Sequence, residues 1–169
     1  MEIAWIRLLL TRELTSFVRE LELFPDESLI WRVVPGISNS AGTLTLHVCG
    51  NLQHFVGAVL GGTGYVRNRD LEFSALGVSR AALSGELKKT IQVVDTVLSR
   101  LPEEAFSGEF PDVPGGGRVP TGLFLLHLCT HLAHHLGQVG YLRRVLTGES
   151  QSSGAIAIKA LSAASSSQA

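Results

Sequence analysis

Residues 121–147 read TGLFLLHLCTHLAHHLGQVGYLRRVLT, and their only formal charges are Arg143 and Arg144. Both arginines lie near the carboxyl end of the stretch, where positive charge interacts favourably with a helix dipole. Gly148, directly after it, is a typical helix stop. Because a helix with so few charges is normally buried on most sides, this stretch predicts a largely buried helix over residues 121–147.

Three further segments repeat apolar residues at the spacing of a helix. They run from about Ile3 to Phe24, from about Thr43 to Leu60 with Thr43 or Ser40 as the cap, and from about Ser79 to Leu101. The segment from Ser79 is the clearest, since it places Lys88, Lys89, Gln92 and Asp95 outside an apolar stripe of Leu83, Leu87, Ile91, Val94, Leu98 and Leu101. Four helices with long connections predict an all-α fold, with a four-helix bundle as its architecture.

The connections between these helices are long. About eighteen residues join the second helix to the third, and when extended they could span roughly 60 Å and cross the bundle from end to end. Within this connection, the run from Tyr65 to Glu72 is expected to be a solvated loop. Residues 29–34, LIWRVV, are expected to form an ordered loop packed by Trp31, with a short strand as the alternative. Residues 102–120 are rich in proline and glycine and are expected to form a long loop.

The composition is that of one folded domain. The chain has 169 residues, which favours a single domain over residues 1–150 followed by a Ser- and Ala-rich tail over 151–169, disordered or weakly helical. A net charge of -1 gives no basic surface for nucleic acid. Two cysteines exclude a secreted disulfide scaffold. With no recognisable signal peptide or membrane span, we expect a cytoplasmic protein.

The six histidines all lie in the second and fourth predicted helices. In the fourth, His131 and His135 are four residues apart and share one face, where two imidazoles can hold one metal ion. His127 lies one turn before this pair and Gln138 one turn after it. His134 is rotated by about 100° from His135 and should face elsewhere.

In the second helix, His47, Asn51 and His54 are spaced to lie on one face. One histidine from this helix and the pair from the fourth would supply three neutral nitrogens with a fourth position open, the pattern of a catalytic metal site. The plainer alternative is a core histidine bonded to a carbonyl, which applies most to His54, His127 and His134. Cys49 and Cys129 point away from the histidines and are expected to be buried core residues.

Three stretches resemble the DinB-like superfamily, which includes YfiT-like proteins, bacillithiol S-transferases and mycothiol-dependent maleylpyruvate isomerases. They are LTLHVCGNLQHF at 44–55, LGGTGYVRNRDLEF at 60–73 and LLHLCTHLAHHLGQVGYLRRVLTG at 125–148. The most specific motif is H-x-x-x-H-x-G-Q, formed by His131, His135, Gly137 and Gln138. The resemblance implies an up-down-down-up four-helix bundle with a long crossover between helices two and three.

The resemblance also implies that His47, His131 and His135 bind a divalent metal, zinc first, with nickel, iron or manganese as alternatives. If helices two and four run antiparallel, as it implies, His54 and His127 lie at a similar level and could pair beside the metal. His54, His127, Asn51 and Gln138 are then candidates for proton transfer or orientation.

Three functions stay open at this stage. The first is a metal-dependent enzyme that transfers a low-molecular-weight thiol or hydrolyses a small substrate. The second is a metal-binding or stress-associated helical dimer without turnover, with a closed site that includes a fourth protein ligand. The third is a helical interaction module, since the apolar fourth helix with Gly137 and Gly140 makes a homodimer plausible.

Overall fold

The chain is described here by a computed structural model that covers residues 2–154. Six α-helices follow one another: α1 (Ile3–Glu22), α2 (Ala41–Leu52), α3 (Arg69–Ser74), α4 (Arg80–Leu98), α5 (Glu103–Ser107) and α6 (Thr121–Thr147). A 3₁₀ turn occupies Glu27–Trp31, and a π-helical segment, Gln53–Leu60, continues α2. Residues 2–154 contain no strand, only an isolated bridge between Glu109 and Pro120. The all-α fold is therefore confirmed over the described residues.

Local sequence signals mark the starts of α2 and α4 and the end of α6. The Ser40 hydroxyl accepts the backbone N–H of Thr43 at 3.1 Å and caps α2, and Ser79 caps α4 in the same way. Gly148 ends α6 with a φ of 73°, in the left-handed region that glycine adopts readily. The helix predicted to reach Leu101 ends at Leu98 instead.

The four long helices share one core. α1 packs against α4 and α6, and α2 packs against the same two helices. The predicted stripe of α4 is confirmed: Leu83, Leu87, Val94 and Leu98 are buried and Ile91 is partly buried, while Lys88, Lys89, Gln92 and Asp95 are exposed. No helix among residues 2–154 is long and apolar enough to cross a membrane.

The exposed face of α6 is wider than the sequence predicted. Leu123, Tyr141 and Val145 are all more than half exposed. A side chain added at Gly137 would meet only open space, so this glycine makes no close helix contact, whereas Gly140 lies against Glu20 of α1. The prediction that this helix is buried on most sides was therefore too broad, because α6 packs against α1, α2 and α5 but leaves one face exposed.

Two connections predicted as loops contain short helices. α3 lies within the crossover between α2 and α4, and α5 packs on α6 from within residues 102–120. Residues 29–34 form no strand: Leu29, Ile30 and Trp31 end the 3₁₀ turn, and only 32–34 are the expected loop. There, the indole Nε1 of Trp31 donates to the carbonyl of Val78 at 3.0 Å, which ties this segment to the end of the crossover.

A buried ion pair joins α1 to α6. Arg143 is fully buried, and its Nε donates to the Glu20 carboxylate at 2.6 Å. The guanidinium also donates to the carbonyl of Gln151, and the N–H of Ser153 donates to Glu20 at 3.4 Å. The first residues of the predicted tail are thus held against the helices, while its remaining part, 155–169, lies outside the described residues together with Ile156, Ile158 and Leu161.

Candidate metal centre

Three histidine side chains converge where α2 packs against α6. His47 comes from α2, and His131 and His135 come from successive turns of α6. The Nε2 atom of His131 lies 3.3 Å from Nε2 of His47 and 3.0 Å from Nε2 of His135. One ligand atom from each of the three lies within 4.8 Å of the others, so this group could hold a metal ion.

The spacing of these nitrogens suits a small divalent ion. Two nitrogens bound to tetrahedral zinc at 2.0–2.1 Å lie about 3.3–3.4 Å apart. The two shortest Nε2 separations in the triad are within a few tenths of an ångström of that value. Small rotations of the rings would therefore be enough to coordinate an ion between them.

A buried carboxylate orients His47. The Nδ1 of His47 donates to Glu72 Oε2 at 2.9 Å, which leaves its Nε2 free to bind a metal. Glu72 lies on α3 and is only 6% exposed. A Cβ atom at residue 50 would overlap the Glu72 carboxyl group, so the glycine of α2 is what lets α3 approach this closely.

Arg67 holds Glu72 in turn. Its guanidinium donates to both carboxylate oxygens, at 2.7 and 2.8 Å, in the bidentate geometry typical of strong arginine–carboxylate pairs. Burial alone would raise the pKa of Glu72, but the hydrogen bonds from Arg67 and His47 outweigh burial and leave that pKa below its usual value. Glu72 is therefore a carboxylate at neutral pH and accepts all three bonds.

The two histidines of α6 also direct their Nε2 atoms to the centre. The Nδ1 of His135 donates to the amide oxygen of Gln138 at 2.7 Å. Burial, reinforced by the neighbouring histidines, lowers the pKa of His131 to about 4. Burial also lowers the pKa of His135 below its ordinary value. Both rings are accordingly neutral near pH 7, the form that binds metal.

Glu72 is the residue that sequence reasoning missed. The run from Tyr65 to Glu72 was predicted to be a solvated loop, and this prediction was wrong for Arg67 and Glu72. Asn68 caps α3 by accepting the N–H of Leu71 at 3.0 Å. An Asn followed by acidic residues is a helix-start signal, and it could have revealed α3, although not the contact with His47.

The other predicted site residues occupy different places. Asn51 is buried and His127 is exposed, and both line a cavity beside His47 and His131. Gln138 orients His135, as described above. His134 is exposed and lies outside the triad.

His54 does not lie in the same regular helix as Asn51. It lies in the π-helical segment, whose wider turn changes the direction of residues after Leu52 relative to a regular helix. Its Nε2 is 3.7 Å from Asp112, and its ring packs on Phe55. The pairing of His54 with His127 stays a prediction.

Cys49 and Cys129 have no part in the centre. Both are buried free thiols, as predicted. Burial raises the pKa of each thiol to about 12, so neither is a thiolate at neutral pH.

A sequence profile of the DinB superfamily matches residues 9–139, which run from within α1 to within α6 and include the whole triad. The chain belongs to the DinB superfamily. Comparison with curated proteins and with solved structures gives no significant match. Membership agrees with the resemblance seen in the sequence, and DinB-like proteins as a group are metal-binding.

Proposed function

We propose that this DinB-like protein is a divalent-metal-dependent enzyme, with His47, His131 and His135 holding one ion, zinc first and nickel, iron or manganese as alternatives. One observation carries the proposal: three Nε2 atoms converge beside a cavity that His47 and His131 line, and two of the three rings have Nδ1 bonded to a partner that leaves Nε2 free. Three neutral imidazoles are a common donor set for such ions. We also propose that the four long helices form the up-down-down-up bundle of the superfamily.

The reaction that fits this arrangement is thiol S-transfer or hydrolysis of a small molecule. When bound, the ion would act as a Lewis acid and lower the pKa of a water molecule or thiol, giving a nucleophile near neutral pH. His127 and Asn51 line the cavity and are the candidates to exchange a proton with a substrate or to orient it. Gln138 positions His135, and His54 is a candidate for proton transfer through its contact with Asp112.

The cavity favours an enzyme over a closed metal-storage site. Within residues 2–154, the group that could hold an ion contains three residues and no fourth protein ligand. Two of the three, His47 and His131, also line the cavity, so a substrate could approach the ion. A non-catalytic site would instead use His54 or His127 to complete the coordination. A homodimer and a cytoplasmic location are further proposals.

Metal analysis and a reaction screen test the function. The purified full-length protein, stripped and reloaded with zinc, should contain about one ion per chain, and His131→Ala should contain almost none. His134→Ala is the matched control, since His134 is on the same helix outside the triad, and it should bind zinc like the wild type. The zinc-loaded protein is then screened for thiol transfer to electrophiles and for ester and amide hydrolysis.

The outcomes separate the alternatives. Zinc-dependent turnover that is lost in His131→Ala supports the proposal. Stoichiometric zinc without turnover in either screen favours the non-catalytic metal protein. Failure of the wild type to bind any of the four metals stoichiometrically would refute the metal site.

A further inference from the structure

A cavity of about 680 Å³ opens beside the histidine triad. Its volume lies in the range of small-molecule binding sites. The wall is mainly apolar and includes Phe55, Phe124 and Leu123. Phe55 and Phe124 meet edge to face with ring centroids 5.1 Å apart, so they form a fixed aromatic surface.

The charged side chains that line this cavity are all positive. Arg67 and Arg69 line it, and none of its described lining residues is an aspartate or a glutamate. Arg67 is already neutralised by its two hydrogen bonds to Glu72. Arg69 is exposed, its guanidinium lies 5.0 Å from the centre of the Phe73 ring, and the ion pairs among residues 2–154 do not include it.

We propose that this cavity binds a carboxylic acid with an apolar, ring-sized body. Arg69 would bind the carboxylate, and the body would lie against Phe55, Phe124 and Leu123. A planar guanidinium matches a carboxylate in geometry. One unpaired arginine also balances the single charge of a carboxylate, whereas a phosphate monoester carries close to two negative charges.

The inference rests on the proposed function only in calling this acid a substrate. Binding itself needs no metal, because the arginine and the apolar wall belong to the chain. An acid held in this way would lie in the same cavity as His47 and His131. The substrate class is therefore a small carboxylic acid with an aromatic or branched aliphatic body.

Calorimetric titration of the full-length, metal-free protein tests this with three probes of one shape: 4-phenylbutyrate, 4-phenylbutanamide and 4-phenylbutylamine. Metal-free protein is used so that the carboxylate cannot bind an ion directly. Because a hydrogen bond to a charged group contributes more than one between neutral groups, the acid should bind about tenfold more tightly than the amide. The amine should bind most weakly of the three.

Three variants separate the polar and apolar parts of the site. Arg69→Gln should weaken binding of the acid about tenfold and leave binding of the amide within about twofold. Leu123→Gln should weaken both probes equally; this residue is 56% exposed, so the change should not disturb the fold. Arg100→Gln is the control, since Arg100 is an exposed arginine outside the cavity, and it should change neither affinity.

The inference is overturned if acid and amide bind equally, if none of the probes binds, or if Arg69→Gln keeps the preference for the acid. A separate zinc titration distinguishes its failure from that of the proposed function. Zinc binding without discrimination between acid and amide would leave the metal site standing and refute the cavity ligand. Discrimination between acid and amide in a protein that binds none of the four metals would leave the cavity ligand standing and refute the metal site.

Discussion

Replacing Glu72 with glutamine should weaken zinc binding although Glu72 does not belong to the triad. The carboxylate accepts one hydrogen bond from His47 and two from Arg67. Glutamine can still accept from His47 through its oxygen, but its NH₂ group would then face the Arg67 guanidinium, donor against donor. The substitution therefore removes the charge and at least one of the three bonds.

The expected loss of zinc affinity follows from the interactions that Glu72→Gln leaves around His47. Loss of a carboxylate that orients a metal-binding histidine typically weakens metal affinity 10- to 100-fold. In this protein the charge of Arg67 would also be left uncompensated, and its Nη2 atom lies 3.5 Å from Nδ1 of His47. Since that charge would repel a divalent cation, we expect the upper end of the range, roughly 100-fold or about 2.7 kcal/mol.

A competition titration with a chromophoric zinc chelator measures the affinity directly. Asp70→Asn is the matched control, because Asp70 is an exposed acid on the same short helix, and it should bind zinc like the wild type. Thermal unfolding without metal shows whether Glu72→Gln is folded. Zinc affinity within twofold of wild type in a folded Glu72→Gln protein would refute the orienting role of this carboxylate.

Three further predictions concern the centre and the packing of the helices. Gly50→Ala should lower zinc affinity about as much as Glu72→Gln in the same titration, because the added Cβ atom would displace the Glu72 carboxyl group. Gly85→Ala is the control: residue 85 on α4 has open space around it, so this substitution should not lower zinc affinity. The unfolding free energy of the metal-free protein, measured by urea titration, should fall as pH drops from about 6.5 towards 4. The reason is that the unfolded chain binds a proton at His131 in this pH range and the folded chain does not. An unfolding free energy that stays constant over this range would contradict a buried, neutral His131 ring. Glu20→Gln should cost about 3–5 kcal/mol in urea unfolding because it leaves the charge of the buried Arg143 uncompensated, and a loss below 1 kcal/mol would show that this pair is unimportant.

The long helices were predictable because short-range signals determine them. Ser40 and Ser79 as caps, Gly148 as a stop and the four- and three-residue steps of the α4 stripe are all local features of the chain. The same periodicity placed His131 and His135 on one face of α6. Residues four apart in a regular helix are neighbours whatever the helix packs against, so this part of the site needs no knowledge of the tertiary structure.

The remaining parts depend on contacts between distant segments. His47 and Glu72 meet only because α3 folds back onto α2, and the local sequence pattern does not predict that these two side chains are in contact. The pair formed by Glu20 and Arg143 joins residues 123 positions apart. His54 was placed on one face with His47 by assuming a regular helix, and the π-helical segment after Leu52 changes that geometry.

The exposure of α6 illustrates a further limit. A segment of low charge was predicted to be buried on most sides, yet Tyr141 is 75% exposed. Composition measures how much apolar surface a helix carries, but the number of neighbouring helices decides how much of it is covered. Apolar atoms contribute more than half of the surface of folded proteins, so low charge alone does not imply burial.

Anomalous diffraction from crystals of the zinc-loaded protein, recorded on both sides of the zinc absorption edge, shows whether the triad holds the ion. We expect one strong peak about 2.0–2.1 Å from the Nε2 atoms of His47, His131 and His135, with the Nδ1 of His47 still bonded to Glu72. A peak coordinated by other residues, or no peak beside the triad in zinc-soaked crystals, would contradict this expectation.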